Sequence, residues 1–357
     1  MKPDVLVVGA GIVGAACAYA LSRERLRVTV VDAAFAGGGT TAAGMGHIVV
    51  MDGSEAELAL TAYGRSLWEE LAPQLPRSCE DEACGTIWVA ADEEELELVR
   101  AKARTYAAHG VPALQLDAAR LAELEPNLRR GLAGGLLVPG DRVLYPPAAA
   151  RWLLARARDL GAEVREGTPV ERLETRSAGA VVNAAGVQAA RLTPGLPIEP
   201  RKGQLVITDR HPGFVRHQLV ELGYLKSAHG EAAESVAFNV QPRATGQLLI
   251  GSSREYAGLD ATLNRPLRDA MLRRALEFLP GLSRLSAIRT WTGFRPATPD
   301  KLPLIGRHSS GVFVAAGHEG LGITTAPATG ALLADLLLGR PPAIDPRPYD
   351  VMRFAHD

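Results

Sequence analysis

The residues near the start of the chain with the clearest chemical capability are Gly9-Ala10-Gly11-Ile12-Val13-Gly14 and Asp32. The six form a G-x-G-x-x-G run after a strand-like segment and before a helix-like one. In that setting the first glycine permits a tight turn and the second lets the backbone approach a pyrophosphate. The third lets helix and strand pack closely. The helix N-terminus offers N–H donors and partial positive charge to phosphate. Asp32 ends the next strand, where an acid accepts hydrogen bonds from a ribose. Together they point to an adenine dinucleotide; a glycine-rich structural turn is the alternative. Near the C-terminus a second glycine loop, Gly317-His318-Glu319-Gly320-Leu321-Gly322-Ile323-Thr324, lies between a strand and a helix and makes another anion-friendly helix start. Arg295 has a planar guanidinium able to grip a carboxylate through two parallel hydrogen bonds; a structural ion pair is its alternative. His47 titrates near neutrality and could take a proton or hold a water; a packed histidine explains it equally well.

These residues need a frame. Asp4 to Val8 and Arg27 to Asp32 are strand-length apolar runs flanking a helix-like stretch, Ala15 to Arg25. Strand, glycine turn, helix and strand fit the length of one βαβ unit. Gly37 to Gly46 is a run of small residues expected to form a loop. Helices are expected over Ser54–Leu71, with Leu58, Tyr63, Leu67 and Leu71 on one side, and over Asp92–Ala108, Pro146–Leu160, Leu267–Leu279 and Thr325–Leu338. Strands are expected over 84–90, 162–165, 180–186, 204–208, 236–240, 247–251 and 311–316. The βα pieces lie at both ends and around residue 180, with antiparallel and helical pieces between. The fold class is therefore α/β (α+β overall): a Rossmann-type domain interleaved with a domain built on a mixed or antiparallel sheet. Residues 1–50, 135–200 and 290–357 are assigned to the first, and 51–134 and 201–289 to the second.

Composition narrows the function. The chain has 357 residues, a soft prior of about two domains at roughly 150 residues each. Its 39 basic and 40 acidic residues nearly cancel, which argues against bulk nucleic-acid binding. Three cysteines, Cys17, Cys79 and Cys84, form neither a disulfide set nor a zinc pattern, so a reducing compartment and no metal are expected. Met1-Lys2-Pro3-Asp4 runs straight into a strand-like segment, and no apolar run approaches the ~20 residues of a membrane span. A cytoplasmic protein is expected; peripheral contact at the inner face of a membrane stays open.

The ordered set of Gly9–Gly14, Asp32, Thr40-Thr41-Ala42-Ala43-Gly44-Met45-Gly46, Val182-Asn183-Ala184-Ala185-Gly186, the segment Gly293 to Gly306 and the loop Gly317 to Thr324 resembles the D-amino-acid oxidase superfamily of FAD-dependent amine oxidoreductases, which includes glycine oxidase and sarcosine oxidase. The resemblance covers essentially the whole chain. Its most specific part is Gly293-Phe294-Arg295-Pro296-Ala297-Thr298-Pro299-Asp300 through Pro303-Leu304-Ile305-Gly306. The segments 201–209 and 222–229 look most like bacterial D-hydroxyproline dehydrogenases. There are departures. Val170 to Val181 is short where the family often has a longer strand ladder. No cysteine lies near the C-terminal loop, so a covalent cysteinyl flavin looks absent. Before Pro242-Arg243, Asn239 stands where glycine oxidase has an active-site Tyr.

The resemblance implies non-covalent FAD. It implies contacts from Gly9, Gly11, Ile12, Val13, Gly14, Asp32, Ala33, Thr40, Thr41, Gly44, Met45, Gly46, His47, Val170, Ala184, Ala185, Gly186 and Gly293, and from Gly317 through Thr324. It implies oxidation of a D-amino acid or secondary amine, with cis-4-hydroxy-D-proline or D-proline favoured. Arg295, His47, Tyr224, Asn239 and His318 are the catalytic candidates. Oxidation of glycine, sarcosine or another small amine, or a role as the flavin subunit of an electron-transfer assembly, are the alternatives. The electron acceptor and any further subunits stay open. Glu221, Lys226 and His229 are explained as readily by a solvated loop, and Trp68, Trp88 and Trp152 are expected to be packing residues.

Overall fold

Two sheets organise the chain. The computed structural model describes residues 2–223 and 234–355. A six-stranded sheet runs in the order Leu304–Arg307, Phe313–Ala316, Ala180–Asn183, Val5–Val8, Val28–Val31, Glu163–Arg165. All its neighbours are parallel except Leu304–Arg307 on Phe313–Ala316. Val28–Val31 is buried throughout and Val5–Val8 nearly so, as a sheet covered on both faces requires. The helices Ile12–Arg23, Pro146–Asp159 and Gly322–Leu338 pack together in its core with Val7, Leu21, Val30, Leu153 and Leu332. Burying a Val or Leu side chain contributes about 1.5–3 kcal/mol, so this cluster anchors the Gly-rich turn between its first strand and helix.

The second sheet has eight strands, in the order Ala287–Ala297, Glu199–Thr208, Leu248–Glu255, Glu234–Pro242, Gln218–Glu221, Thr86–Ala90, Gly134–Val138, Leu114–Asp117. Its pairs are antiparallel save Gln218–Glu221 on Thr86–Ala90. The helix Arg265–Phe278 packs on it, with Phe278 stacked on Phe238 at 4.4 Å between ring centroids. Both Gly134–Val138 and Ala287–Ala297 belong to this sheet, so its strands cross the expected boundaries near 135 and 290.

Several elements differ from the sequence expectation. The first and last helices begin at Ile12 and Gly322, three residues earlier than hydrophobic periodicity placed them. Both starts lie inside the glycine motifs, whose residues Ile12-Val13-Gly14 and Gly322-Ile323-Thr324 form the first helical turns in place of loop. Gly39–Ala43 is a short helix within the presumed loop. In Glu55–Leu71 the buried residues are Leu58, Leu60, Thr61, Gly64, Arg65 and Trp68, and Tyr63, Leu67 and Leu71 are half-buried. Ser54 caps that helix by accepting from Glu57 N at 3.0 Å. No helix among the described residues is long and apolar enough to cross a membrane.

Candidate active site

The Gly-rich turn is held by close backbone contacts. Gly9 has φ +113°, a conformation L side chains rarely adopt, and a Cβ there would lie 2.4 Å from Ala184 O. A Cβ on Gly14 would lie 1.9 Å from Gly9 O. The first helix can therefore sit directly behind the turn only because both positions lack side chains. Asp32 accepts from Ala10 N through Oδ2 at 2.7 Å and from Ala34 N through Oδ1 at 2.8 Å, which fixes its carboxylate at the strand end. The Ile12 N–H donates to Thr41 Oγ1 at 2.9 Å. That donor at the helix start is thus spent within the chain.

The turn borders a cavity of about 510 Å³. Of the expected cofactor contacts, Gly9, Gly11, Ile12, Val13, Asp32, Ala33, Thr40, Thr41, Gly44, Met45, Gly46, His47, Val170, Ala184, Ala185, Gly186, Gly293, His318, Glu319, Gly320, Gly322 and Ile323 line it. Four do not. Gly14 is behind the turn, and Gly317 is packed so closely that a Cβ would lie 2.7 Å from Thr298 Cγ2. Thr324 Oγ1 bridges His47 O and Val49 N, and Leu321 lines the smaller cavity instead. The wall also includes Phe35, Thr168, Gln188, Arg191, Gly203 and Ser252, none of which was among the expected contacts. The segment 39–46 is tied to the eight-stranded sheet: Thr40 Oγ1 donates to Phe294 O at 2.7 Å, and Trp291 Nε1 to Ala43 O at 3.3 Å. No cysteine lines the cavity.

A smaller cavity of about 100 Å³ adjoins it, and His47, Asn239, Arg295, Glu319 and Gly320 line both. His47 pairs with Val143 in a two-stranded ribbon. Burial holds its imidazole down at about 4; the Asn239 side-chain hydrogen bond opposes this and the Arg295 charge adds to it. The ring is neutral at neutral pH, and its buried Nε2 has no hydrogen-bond partner among the described residues. His318 also borders the larger cavity, but its Nε2 lies 3.0 Å from Thr329 Oγ1 and burial pushes its pKa down to about 3. That ring nitrogen is engaged by the last helix. Tyr224, Lys226 and His229 lie outside the described residues. Glu221 is no loop residue: it is buried in a strand and ion-paired to Arg274. Trp68 and Trp152 are packing residues, whereas Trp88, buried under Lys102, also lines the smaller cavity.

A model described as FAD dependent oxidoreductase matches residues 4–336. The chain belongs to that family. FAD is its cofactor, and the larger cavity, bounded by a glycine cradle and an acid at a strand end, suits a dinucleotide. A glycine oxidase from Geobacillus kaustophilus is 30% identical, over 98% of this chain and 97% of the relative. A hydrogen cyanide synthase subunit from Pseudomonas protegens is 28% identical, over 99% and 96%. The crystal structure of glycine oxidase from Geobacillus kaustophilus aligns with TM-score 0.88 at 29% identity, covering 99% of each chain. An L-proline dehydrogenase from P. horikoshii shares the fold, with TM-score 0.88 at 24% identity over 99% and 98%.

In this oxidoreductase Arg295 is seated by a glycine that motif reading missed. Gly203 is its diagonal cross-strand neighbour, and a Cβ there would lie 2.4 Å from Arg295 Nη1. The same Nη1 donates to Ser253 O at 3.1 Å. The clash would fall on the tip of a flexible side chain, which can move without disturbing the sheet. Gly203→Ala is therefore expected to retain FAD and its Tm while weakening carboxylate binding by about tenfold, or about 1.4 kcal/mol, no more than one charge-assisted hydrogen bond. Titrating the flavin absorption band with acetate measures this; unchanged acetate affinity would mean that Arg295 is not positioned by Gly203.

Proposed function

We propose that the protein oxidises the Cα–N bond of an amino acid whose carboxylate is held by Arg295. The observation that carries this reading is that Arg295, His47 and Asn239 border both cavities, so a small acid bound in one is adjacent to the cofactor in the other. Bound FAD supplies the sink for the Cα hydrogen and its electron pair. The chain's contribution is positioning. The Arg295 guanidinium fixes the carboxylate, and the Asn239 amide and the neutral His47 ring fix the amine through hydrogen bonds. The ammonium first loses a proton to free the nitrogen lone pair; departure of the Cα hydrogen with its electron pair then leaves an iminium, which yields the imine on losing a second proton. The Gly9–Gly14 turn would hold the pyrophosphate, Asp32 the ribose, and the N-terminus of Gly322–Leu338 the flavin's N1–C2=O edge, without a covalent link. The part carrying the six-stranded sheet would thus hold FAD and the part carrying the eight-stranded sheet the substrate.

Within this class, cis-4-hydroxy-D-proline and D-proline, giving cyclic imines, are the substrates suggested by segments 201–209 and 222–229. Glycine is supported by the glycine oxidase relatives, and sarcosine is its N-methyl homologue. A role as the flavin subunit of a larger assembly is supported by the hydrogen cyanide synthase relative. Anaerobic addition of each amine to the yellow protein should bleach the oxidised-flavin band for at least one of them, while pyrrolidine, which lacks the carboxylate, should not. Equal bleaching by pyrrolidine and D-proline would remove Arg295 from the reading. Peroxide on readmitting air separates an oxidase from a dehydrogenase.

His47 also makes a prediction about pH. Its pKa is depressed, so the ring is already neutral above about pH 4 and changes nothing near 6.5. The proton that must leave is the substrate ammonium's. The anaerobic reduction rate is expected to rise roughly tenfold per pH unit below the amine's pKa, with no inflection between pH 6 and 7. An inflection there that vanished in His47→Gln would show a titrating base.

A further inference from the structure

The smaller cavity is strongly cationic. Among the described residues in its wall six are charged: Arg201, Arg254, Arg295 and Lys301 are basic, and Glu57 and Glu319 are acidic. Arg201 and Arg295 stand directly opposite each other on adjacent strands, a placement that repels unless an anion lies between them. Arg201 and Arg254 are each 5% exposed. Arg201 reaches Glu319 at 3.3 Å, yet its buried Nε has no hydrogen-bond partner among the described residues. A buried donor of this kind is costly until something accepts from it. Burial and the charges of Arg201 and Arg254 pull the Lys301 ammonium below its usual range, against Glu319 and Glu57. Backbone strain converges here too: Lys301 (φ +64°) and Glu319 (φ +48°) are two of the four left-handed non-glycine residues among those described. Such strain persists where the surrounding structure holds it in place, and it clusters at binding sites.

We propose that the substrate carries a second acid group, bound by Arg201, Arg254 and Lys301 while its α-carboxylate lies on Arg295. The class is an amino dicarboxylate or an N-carboxyalkyl amino acid. This rests on the amine-oxidation reading and ranks, within it, an acidic amino acid above a ring amine of the same size. One Arg serves one carboxylate bidentately, and a single-acid substrate on Arg295 leaves the buried Arg201 Nε without an acceptor among the described residues.

The test uses the FAD-loaded protein and two readouts. The first is binding of unreactive acids, followed by the shift of the flavin band. Succinate is expected to bind at least about tenfold tighter than butyrate. Arg201→Gln should erase most of that ratio. Lys301→Gly should lower it as well while raising Tm, because glycine relieves the left-handed backbone; it keeps the test alive should Arg201→Gln fail to fold. Equal affinities for succinate and butyrate would overturn the second acid site whether or not any amine is oxidised. The second readout is anaerobic flavin reduction by iminodiacetate against sarcosine and by D-glutamate against D-norvaline. Preference for the diacid supports the proposal. Reduction by the monoacids alone overturns it and leaves amine oxidation standing; reduction by no amine, with succinate still preferred, overturns amine oxidation and leaves the acid site standing.

Discussion

Arg295→Gln is expected to weaken binding of the amino-acid carboxylate by about 100- to 1000-fold, on the order of 3–4 kcal/mol, with FAD still bound. The size follows from chemistry. A guanidinium–carboxylate pair in a confined site has two charge-assisted hydrogen bonds, and glutamine replaces them with at most one neutral bond. The substrate carboxylate would then be desolvated without a counter-charge. The fold should tolerate the change. Arg295 is half-buried at the end of an eleven-residue strand, and its described backbone partner is Ser253 O. Arg295→Lys should recover part of the loss as a point charge without the fork. Stopped-flow reduction over a range of substrate concentrations separates binding from the limiting rate. An unchanged apparent Kd in Arg295→Gln would place the carboxylate elsewhere, with Arg201 and Arg254 as the next guanidiniums along the cavity wall.

Gly14→Ala is expected to give a colourless, destabilised protein. Its Cβ would lie 1.9 Å from Gly9 O and 3.3 Å from Ala184 Cβ. The first neighbour is backbone, so no rotamer change relieves it. Either the first helix shifts off the sheet, opening the packing of Ile12, Ala15 and Ala16, or the turn distorts. Overpacking of this kind costs about 1–3 kcal/mol or more, and the distorted turn no longer presents its backbone to the pyrophosphate. Gly11→Ala is the informative contrast. Its Cβ would lie 3.1 Å from Thr41 Oγ1, a side-chain atom that can rotate away. That variant should fold with a Tm lowered less than in Gly14→Ala, at the cost of the Ile12 N–H bond to Thr41, and bind FAD weakly, because the added methyl intrudes where the backbone would approach the pyrophosphate. Flavin absorbance per protein and thermal melts distinguish the two; a yellow Gly14→Ala protein of normal Tm would refute the account of the turn.

The Gly-rich turn and the βαβ unit around it were legible in the chain itself. Its signal is local: a strand, a glycine turn, a helix and an acid lie within about thirty residues, the span of one βαβ unit. Each glycine there answers to a neighbour a few residues away or to the adjacent strand. The strand and helix that follow are continuous in sequence, so hydrophobic runs and breakers suffice to find them. Arg295 and His47 were also visible as residue types, and the arrangement around them was not.

That arrangement depends on pairings with no local trace. Gly203 reads as an unremarkable residue in a strand until the strand Ala287–Ala297 pairs with it and lays Arg295 across its missing side chain. His318 opens a glycine loop and invites a catalytic reading; only the packed helix reveals that its Nε2 is taken by Thr329. Arg201, Arg254 and Lys301 are scattered through the chain and converge because one sheet and one loop bring them to the same small cavity. The Gly-rich turn was written in the chain, because short-range sterics and backbone hydrogen bonds dictate it. Which side chains meet at the smaller cavity was settled only by the folded structure, because sheet register between distant segments sets those neighbours and neither periodicity nor motif records it.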